Sequence, residues 1–286
     1  MYVLLAALLW SSGGVLIKLA NWSPLGIASL RSAIAAVIIS TYYWWRWGRV
    51  PRLVPRQPAE WLAAFGYAAT VILFVWATKL TTAANAIVLQ YSAPLYVALL
   101  GWLVLGEKLS SAEWLLLGLM MTGILLFFGE QLSPSGMVGN LLAIGSGIGM
   151  AIMTLAVRVL QKHASATEAL VMGNVIAALT GIATWHELVR LDSSTLAVLG
   201  ILGIVQLGIP YILFAHALAS IRAIEAVMLA MLEPIANPLW VMLIVGEHPT
   251  VWSAVGGVLV IGATGARAIL SYSRSSSRED SSGSSG

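Results

Sequence analysis

Six ionisable side chains interrupt sequence otherwise suited to oil: Lys18, Arg31, Lys79, His216, Glu225 and Glu233. A charged or protonatable group at membrane depth is costly, so by default it marks binding, proton movement or an internal partner. Glu233 stands directly before Pro234, where a protonated carboxyl could bond the carbonyl that proline frees and carry a proton. Arg31 lies about two turns inside its apolar stretch and reads as the donor of a structural ion pair or a carbonyl contact. Lys79 and His216 stand near the ends of theirs, where a long side chain can also reach the interface. Hydrolytic and nucleotide-driven chemistry lacks its residues. The sequence contains no H-E-x-x-H, no G-x-S-x-G and no Walker loop, and its only aspartates, Asp192 and Asp280, lie outside the apolar stretches. The expectation is a protein that is not an enzyme and has no cofactor. The absence of cysteine removes thiolate metal ligands and a cysteine nucleophile, and no metal site is expected.

The elements that must hold these groups are helices in a bilayer. Of 286 residues, 59% are hydrophobic and 9% charged, against about 25% charged in soluble domains. Twelve tryptophans fit two membrane interfaces, where amphipathic rings accumulate. Apolar runs of spanning length occur at about 2–20, 25–45, 60–79, 83–105, 111–129, 137–159, 167–186, 195–216, 223–245 and 251–270. The expected fold is an all-α integral membrane protein with ten transmembrane helices. With the N-terminus inside, eleven lysines and arginines fall in cytoplasmic segments, whereas only Lys79 and Arg190 fall outside. This bias puts both termini in the cytoplasm and the protein in the cytoplasmic (inner) membrane. The Arg46–Arg56 cluster is then a solvated loop touching anionic lipid; nucleic acid is not an expected partner. The first span lacks a basic leader and is expected to be retained. Residues 271–286 are low-complexity and expected to be disordered, and SSGSSG resembles an appended linker.

A shift of 140 residues superposes Ala77, Ala83, Ala86, Leu89, Pro94, Leu99, Leu103, Gly106 and Glu107 on Ala217, Ala223, Ala226, Leu229, Pro234, Leu239, Leu243, Gly246 and Glu247. The chain therefore divides into two five-helix units, residues 1–130 and 137–270. Because five is odd, the second unit enters the membrane from the opposite face, giving an inverted repeat with a site near the midplane. Pro94 and Pro234 are expected to kink the interiors of their helices and act as paired hinges. Gln90 and Ser92 are placed to satisfy the freed carbonyl, and each Gly-Glu corner to end one helix and cap the next.

ALLWSSGGVLIKLA, SPLGIASLRSAIAAV with Pro24 and Arg31, APLYVALLGWLVLGEKLS and EPIANPLWVMLIVGEHPT resemble the drug/metabolite transporter superfamily, in particular its EamA-type members. The aromatic amino acid exporter branch is the subtype they most resemble. The second unit has no counterpart of Pro24 and Arg31. The resemblance implies a secondary transporter that exports amino acids or related small metabolites by alternating access. A multidrug or nucleotide-type metabolite carrier, or a channel, are the competing readings. The expected partners are a small-molecule substrate and the lipid bilayer, while oligomeric state is open. For an amino acid, Lys79 and the region of Ser12 would take the carboxylate; Glu233, Gln90 and Asn85 would take the ammonium. Tyr67, Thr70 and Phe74, at helical spacing, would form a wall with Trp10, Tyr91 and Met150, and Gln206 is the polar candidate from the second unit.

Overall fold

The computed structural model describes residues 1–129, 136–160, 165–236 and 250–283, and the described residues are helical with no strand. The helices are α1 (Tyr2–Trp10), α2 (Gly13–Leu19), α3 (Pro24–Trp47), α4 (Pro58–Leu80), α5 (Ala83–Gln90), α6 (Ala93–Leu105) and α7 (Ser111–Phe128), followed by α8 (Met137–Leu160), α9 (Ser165–Thr180), α10 (Ser193–Ile201), α11 (Ile209–Ser220), α12 (Ala223–Ala230) and α13 (Val251–Gly283). Local chemistry sets the ends. Ser23 accepts from the Gly26 amide ahead of Pro24, and Gly48 closes α3 in the left-handed region. Ser110 and Glu113 form a reciprocal capping box on α7.

Among the described residues seven segments are long and apolar enough to cross a membrane, and Ser165–Thr180 with Ile182–Arg190 makes an eighth if the bent pair is one span. The expected ninth span runs into residues 237–249, outside the described residues, as does the corner at Gly246 and Glu247. In the expected tenth, Ala254–Arg267 is the apolar part. Its backbone stays helical through the tail expected to be disordered, with no glycine or proline between Gly265 and Gly283.

Three spans expected to be continuous are interrupted. The first breaks at Ser11–Ser12, the fourth at Tyr91–Ser92, and the eighth passes through a π-helical stretch, Leu202–Gly208. A fourth interruption, at Met231–Leu232, follows α12 and precedes a helical turn at 233–236. The seventh expected span bends by 68° after Thr180 into a 3₁₀ helix. Hydroxyls explain two of the breaks: Ser11 and Ser92 each donate to the carbonyl three residues back, Leu8 and Leu89, at 2.6 Å, competing with the helical amides.

Pro94 therefore does not kink a continuous helix; it sits in the first turn of α6, where no amide donor is required. Ser92 serves Leu89 rather than the carbonyl that Pro94 leaves free, that of Gln90. That carbonyl instead faces Gly147 of α8, where an added β-carbon would lie 2.6 Å from it.

α4 packs along α8 and α9, α3 along α9 and the π-helical stretch, α1 along α11 and α12, and α7 along α13. Gly66 and Gly149 bring α4 and α8 together: a β-carbon on Gly66 would sit 2.8 Å from the Met153 amide nitrogen.

The charges sort to two ends. One end carries Arg52, which pairs with Glu168 and at 3.7 Å with Glu60, and Arg158, 3.5 Å from Glu107. Gly106 ends α6 at φ +67, as expected. Glu107, however, caps α12 of the other unit by accepting from the Ala223 amide at 3.2 Å, because the Ser110–Glu113 box already caps α7. At the opposite end Lys18 donates to the Thr81 carbonyl and Lys79 to that of Ala20.

Candidate functional site

The interruptions converge. A cavity of about 30 Å³ is lined by Trp10 at the first break, Gln90 at the second, Gln206 and Leu207 from the π-helical stretch, and Glu233 after the break at Met231–Leu232. Arg31 of α3, Thr70, Val71 and Phe74 of α4, Met150 of α8 and Tyr211 of α11 complete the lining. At roughly 10–15 Å³ of such volume per water, this space holds about two waters, so a metabolite requires it to widen. Broken helices suit such a place, since irregular backbone at membrane depth is tolerated only against protein or a wet cavity.

Arg31 is 1% exposed. Nη1 donates to Gln206 Oε1 at 3.0 Å and Nη2 to the Val71 carbonyl at 2.9 Å. The expected carbonyl contact is present; among the described residues no carboxylate pairs with this guanidinium within 4.0 Å. Its Nε and the indole Nε1 of Trp10 are buried without hydrogen-bond partners. Trp10 is held edge-on against Tyr211 and Phe214, with ring centroids 5.1 and 5.3 Å away.

Across the cavity, Glu233 Oε2 lies 2.6 Å from the Tyr91 hydroxyl, which is also 2.8 Å from the Ala230 carbonyl. Gln90 Nε2 donates to Ser146 Oγ at 2.8 Å, and that hydroxyl donates to the Thr70 carbonyl at 2.8 Å. These bonds fix the amide of Gln90 on the wall between α4 and α8.

Of the residues singled out from sequence, Trp10, Thr70, Phe74, Gln90, Met150, Gln206 and Glu233 line the cavity. Tyr91 and Tyr67 stand behind the lining: Tyr91 holds Glu233, and Tyr67 donates to Asn174 at 3.0 Å with its ring edge-on to Tyr211. Three lie elsewhere. Ser12 bonds the Leu9 carbonyl at the break, Lys79 bonds Ala20 at the end of α4, and Asn85 bonds Thr81 and Asn140 near the same end. Arg31 and Tyr211, absent from the site expected from sequence, are part of the lining. The depth of Arg31 in its span was a usable signal; nothing local marked Tyr211.

The EamA-like transporter family matches the chain twice, over residues 1–129 and 137–266. An uncharacterized transporter of Bacillus subtilis, YwfM, is 28% identical over 92% of this chain and 93% of its own. An uncharacterized transporter of Archaeoglobus fulgidus is 26% identical over 90% of this chain and 92% of its own. A solved crystal structure superposes with a TM-score of 0.77 over 94% of this chain and 96% of its own at 19% identity, a likeness of fold.

Proposed function

The chain belongs to the EamA-like transporter family, and from that premise we propose that it is a secondary transporter exporting amino acids or related small metabolites by alternating access. It is a membrane protein with multiple apolar spans. The observation that carries the proposal is the convergence of the helix interruptions on one small, partly polar cavity between the two halves. The cavity takes Trp10, Arg31, Thr70, Phe74 and Gln90 from the first half and Met150, Gln206, Tyr211 and Glu233 from the second.

The packing supports a duplicated and inverted unit, residues 1–130 and 137–270. Exchanging each helix with its counterpart turns the contact of α4 with α8 into that of α11 with α1. The same exchange relates α4 with α9 to the π-helical stretch with α3, and α5 with α8 to α12 with α1. α3 with α9 and α7 with α13 map onto themselves. The breaks at Tyr91–Ser92 and Met231–Leu232 are likewise 140 residues apart. Two halves related in this way can rock about a shared site and expose it to each face in turn. By the charge rule the basic end is read as cytoplasmic, with both termini inside and the cytoplasmic membrane as the proposed location.

The test is counterflow in proteoliposomes preloaded with unlabelled amino acids, nucleosides or cationic drugs. Saturable exchange with an amino acid is the expected result. Flux that grows linearly with concentration and shows no counterflow means a channel. Exchange confined to drugs or nucleosides moves the protein to another substrate class of the same family.

A further inference from the structure

We infer that Arg31 and Trp10 form a reader for an acidic group on the transported molecule, so that the cavity selects small carboxylates, amino acids among them, over amines and neutral nucleosides. The inference rests on the transporter reading and specifies its substrate class.

Three observations carry it. First, the Arg31 guanidinium is 1% exposed and, among the described residues, its hydrogen bonds go to a neutral amide and a backbone carbonyl. A buried cation without an anion is costly, by several kcal/mol in general. Gln206 and Val71 orient this cation without neutralising it. Second, two donors of the lining are unspent: Arg31 Nε and Trp10 Nε1 are both fully buried and lack partners. Both are N–H groups that can only donate, so what satisfies them is an acceptor, and the guanidinium makes an anionic acceptor the best fit.

Third, the carboxylate of the cavity is committed elsewhere. The Tyr91 hydroxyl lies within hydrogen-bond distance of both Glu233 Oε2 and the Ala230 carbonyl, and its single proton cannot serve both. Both contacts are satisfied together when Glu233 donates to Tyr91 and Tyr91 donates to Ala230. In that arrangement Glu233 is neutral, and among the described residues Arg31 is left as the one net charge of the lining. Among the described residues Tyr211 is the other titratable group that lines the cavity, and its phenol adds no charge there. The apolar faces of Phe74, Met150, Leu207 and Tyr211 would take the remainder of the substrate.

The experiment is thermal stabilisation of the purified protein in detergent by matched series. Phenylalanine, 3-phenylpropionate and phenethylamine form one set; alanine, lactate and ethylamine form another; a nucleoside is the neutral control. Carboxylates should stabilise and the amines and nucleoside should not. Trp10→Phe keeps the ring and removes the N–H, and should weaken carboxylate binding by about three- to tenfold, the net value of one hydrogen bond. Arg31→Gln should weaken it by roughly ten- to hundredfold. Arg31→Lys, which keeps the charge without the fork, should fall between wild type and Arg31→Gln and guards against loss of folding.

Equal stabilisation by amines and acids overturns the inference, as does wild-type carboxylate affinity in both Trp10→Phe and Arg31→Lys. So does the absence of binding by every carboxylate. If another solute class still shows counterflow in that last case, the transporter reading stands while the carboxylate reader falls. Absence of counterflow by any solute removes the transporter reading itself.

Discussion

Arg267 offers the sharpest test of how the two halves are held together at the basic end. Its side chain is fully buried, with Nη2 3.1 Å from Glu113 and 2.5 Å from Glu225. Arg222 pairs with the same two carboxylates, at 2.9 Å in the case of Glu225. Glu113 belongs to α7 of the first half and the other three residues to the second, so this balanced quartet ties the halves together. Arg267→Met keeps much of the volume but leaves two largely buried carboxylates facing one cation. Removing one partner of a buried pair costs about 3–5 kcal/mol. At about 2 °C per kcal/mol for a chain of this size, the thermal midpoint should fall by about 6–10 °C. Arg267→Met with Glu225→Gln restores the balance, leaving Arg222 with Glu113, and should recover about half of the loss. The assay is thermal unfolding in detergent followed by tryptophan fluorescence. A second readout uses the cysteine-free background: Val71→Cys, which lines the cavity, should become more reactive to an impermeant maleimide from the basic side when Arg267 is replaced. A loss below about 1 kcal/mol for the single variant, or strictly additive effects in the double, would refute the reasoning, because the quartet would then be an ordinary solvated cluster.

The two prolines give a second expectation: Pro94→Ala and Pro234→Ala should leave the thermal midpoint level or higher while slowing initial transport, and stable variants with full transport would remove the hinge proposal. Lys79→Ala should keep wild-type substrate affinity, because its ammonium bonds the Ala20 carbonyl outside the cavity; a tenfold loss in a binding assay would return Lys79 to the site. Gly66→Ala should destabilise by about 1–3 kcal/mol, since its β-carbon would meet the α8 backbone at 2.8 Å. Gly118→Ala, with open space around it, should be neutral or gain about 0.5–1 kcal/mol in the same unfolding measurement. For topology, Asp192→Cys should label from outside intact cells, and labelling only after the cells are opened would reverse the orientation.

Seven of the cavity residues were legible in the sequence because polarity inside an apolar run is costly and so already carries information. Gln90, Gln206 and Glu233 announce themselves in this way, and Thr70 and Phe74 follow from helical spacing. The breaks were harder to place. Proline at 94 and 234 marked the right neighbourhoods, but the interruption falls two to three residues earlier, at Tyr91–Ser92 and Met231–Leu232. At the first of these a serine takes the carbonyl of Leu89.

What the sequence determined by itself is whatever depends on one segment and its solvent: spans set by apolar length, ends set by Pro24, Gly48 and the Ser110–Glu113 box, and the concentration of basic residues at one end. What only the tertiary structure decided is which polar groups find a partner. Tyr67 and Asn85 are as polar and as helical as Gln90, yet they are spent on Asn174 and Asn140, 107 and 55 residues away. Arg31 would make an ordinary ion pair had a carboxylate been packed beside it, and Glu107 would cap its own next helix had Ser110 not done so first. Helical periodicity specifies a face and a depth, whereas the neighbour that satisfies or leaves free a buried donor is chosen by how distant helices pack.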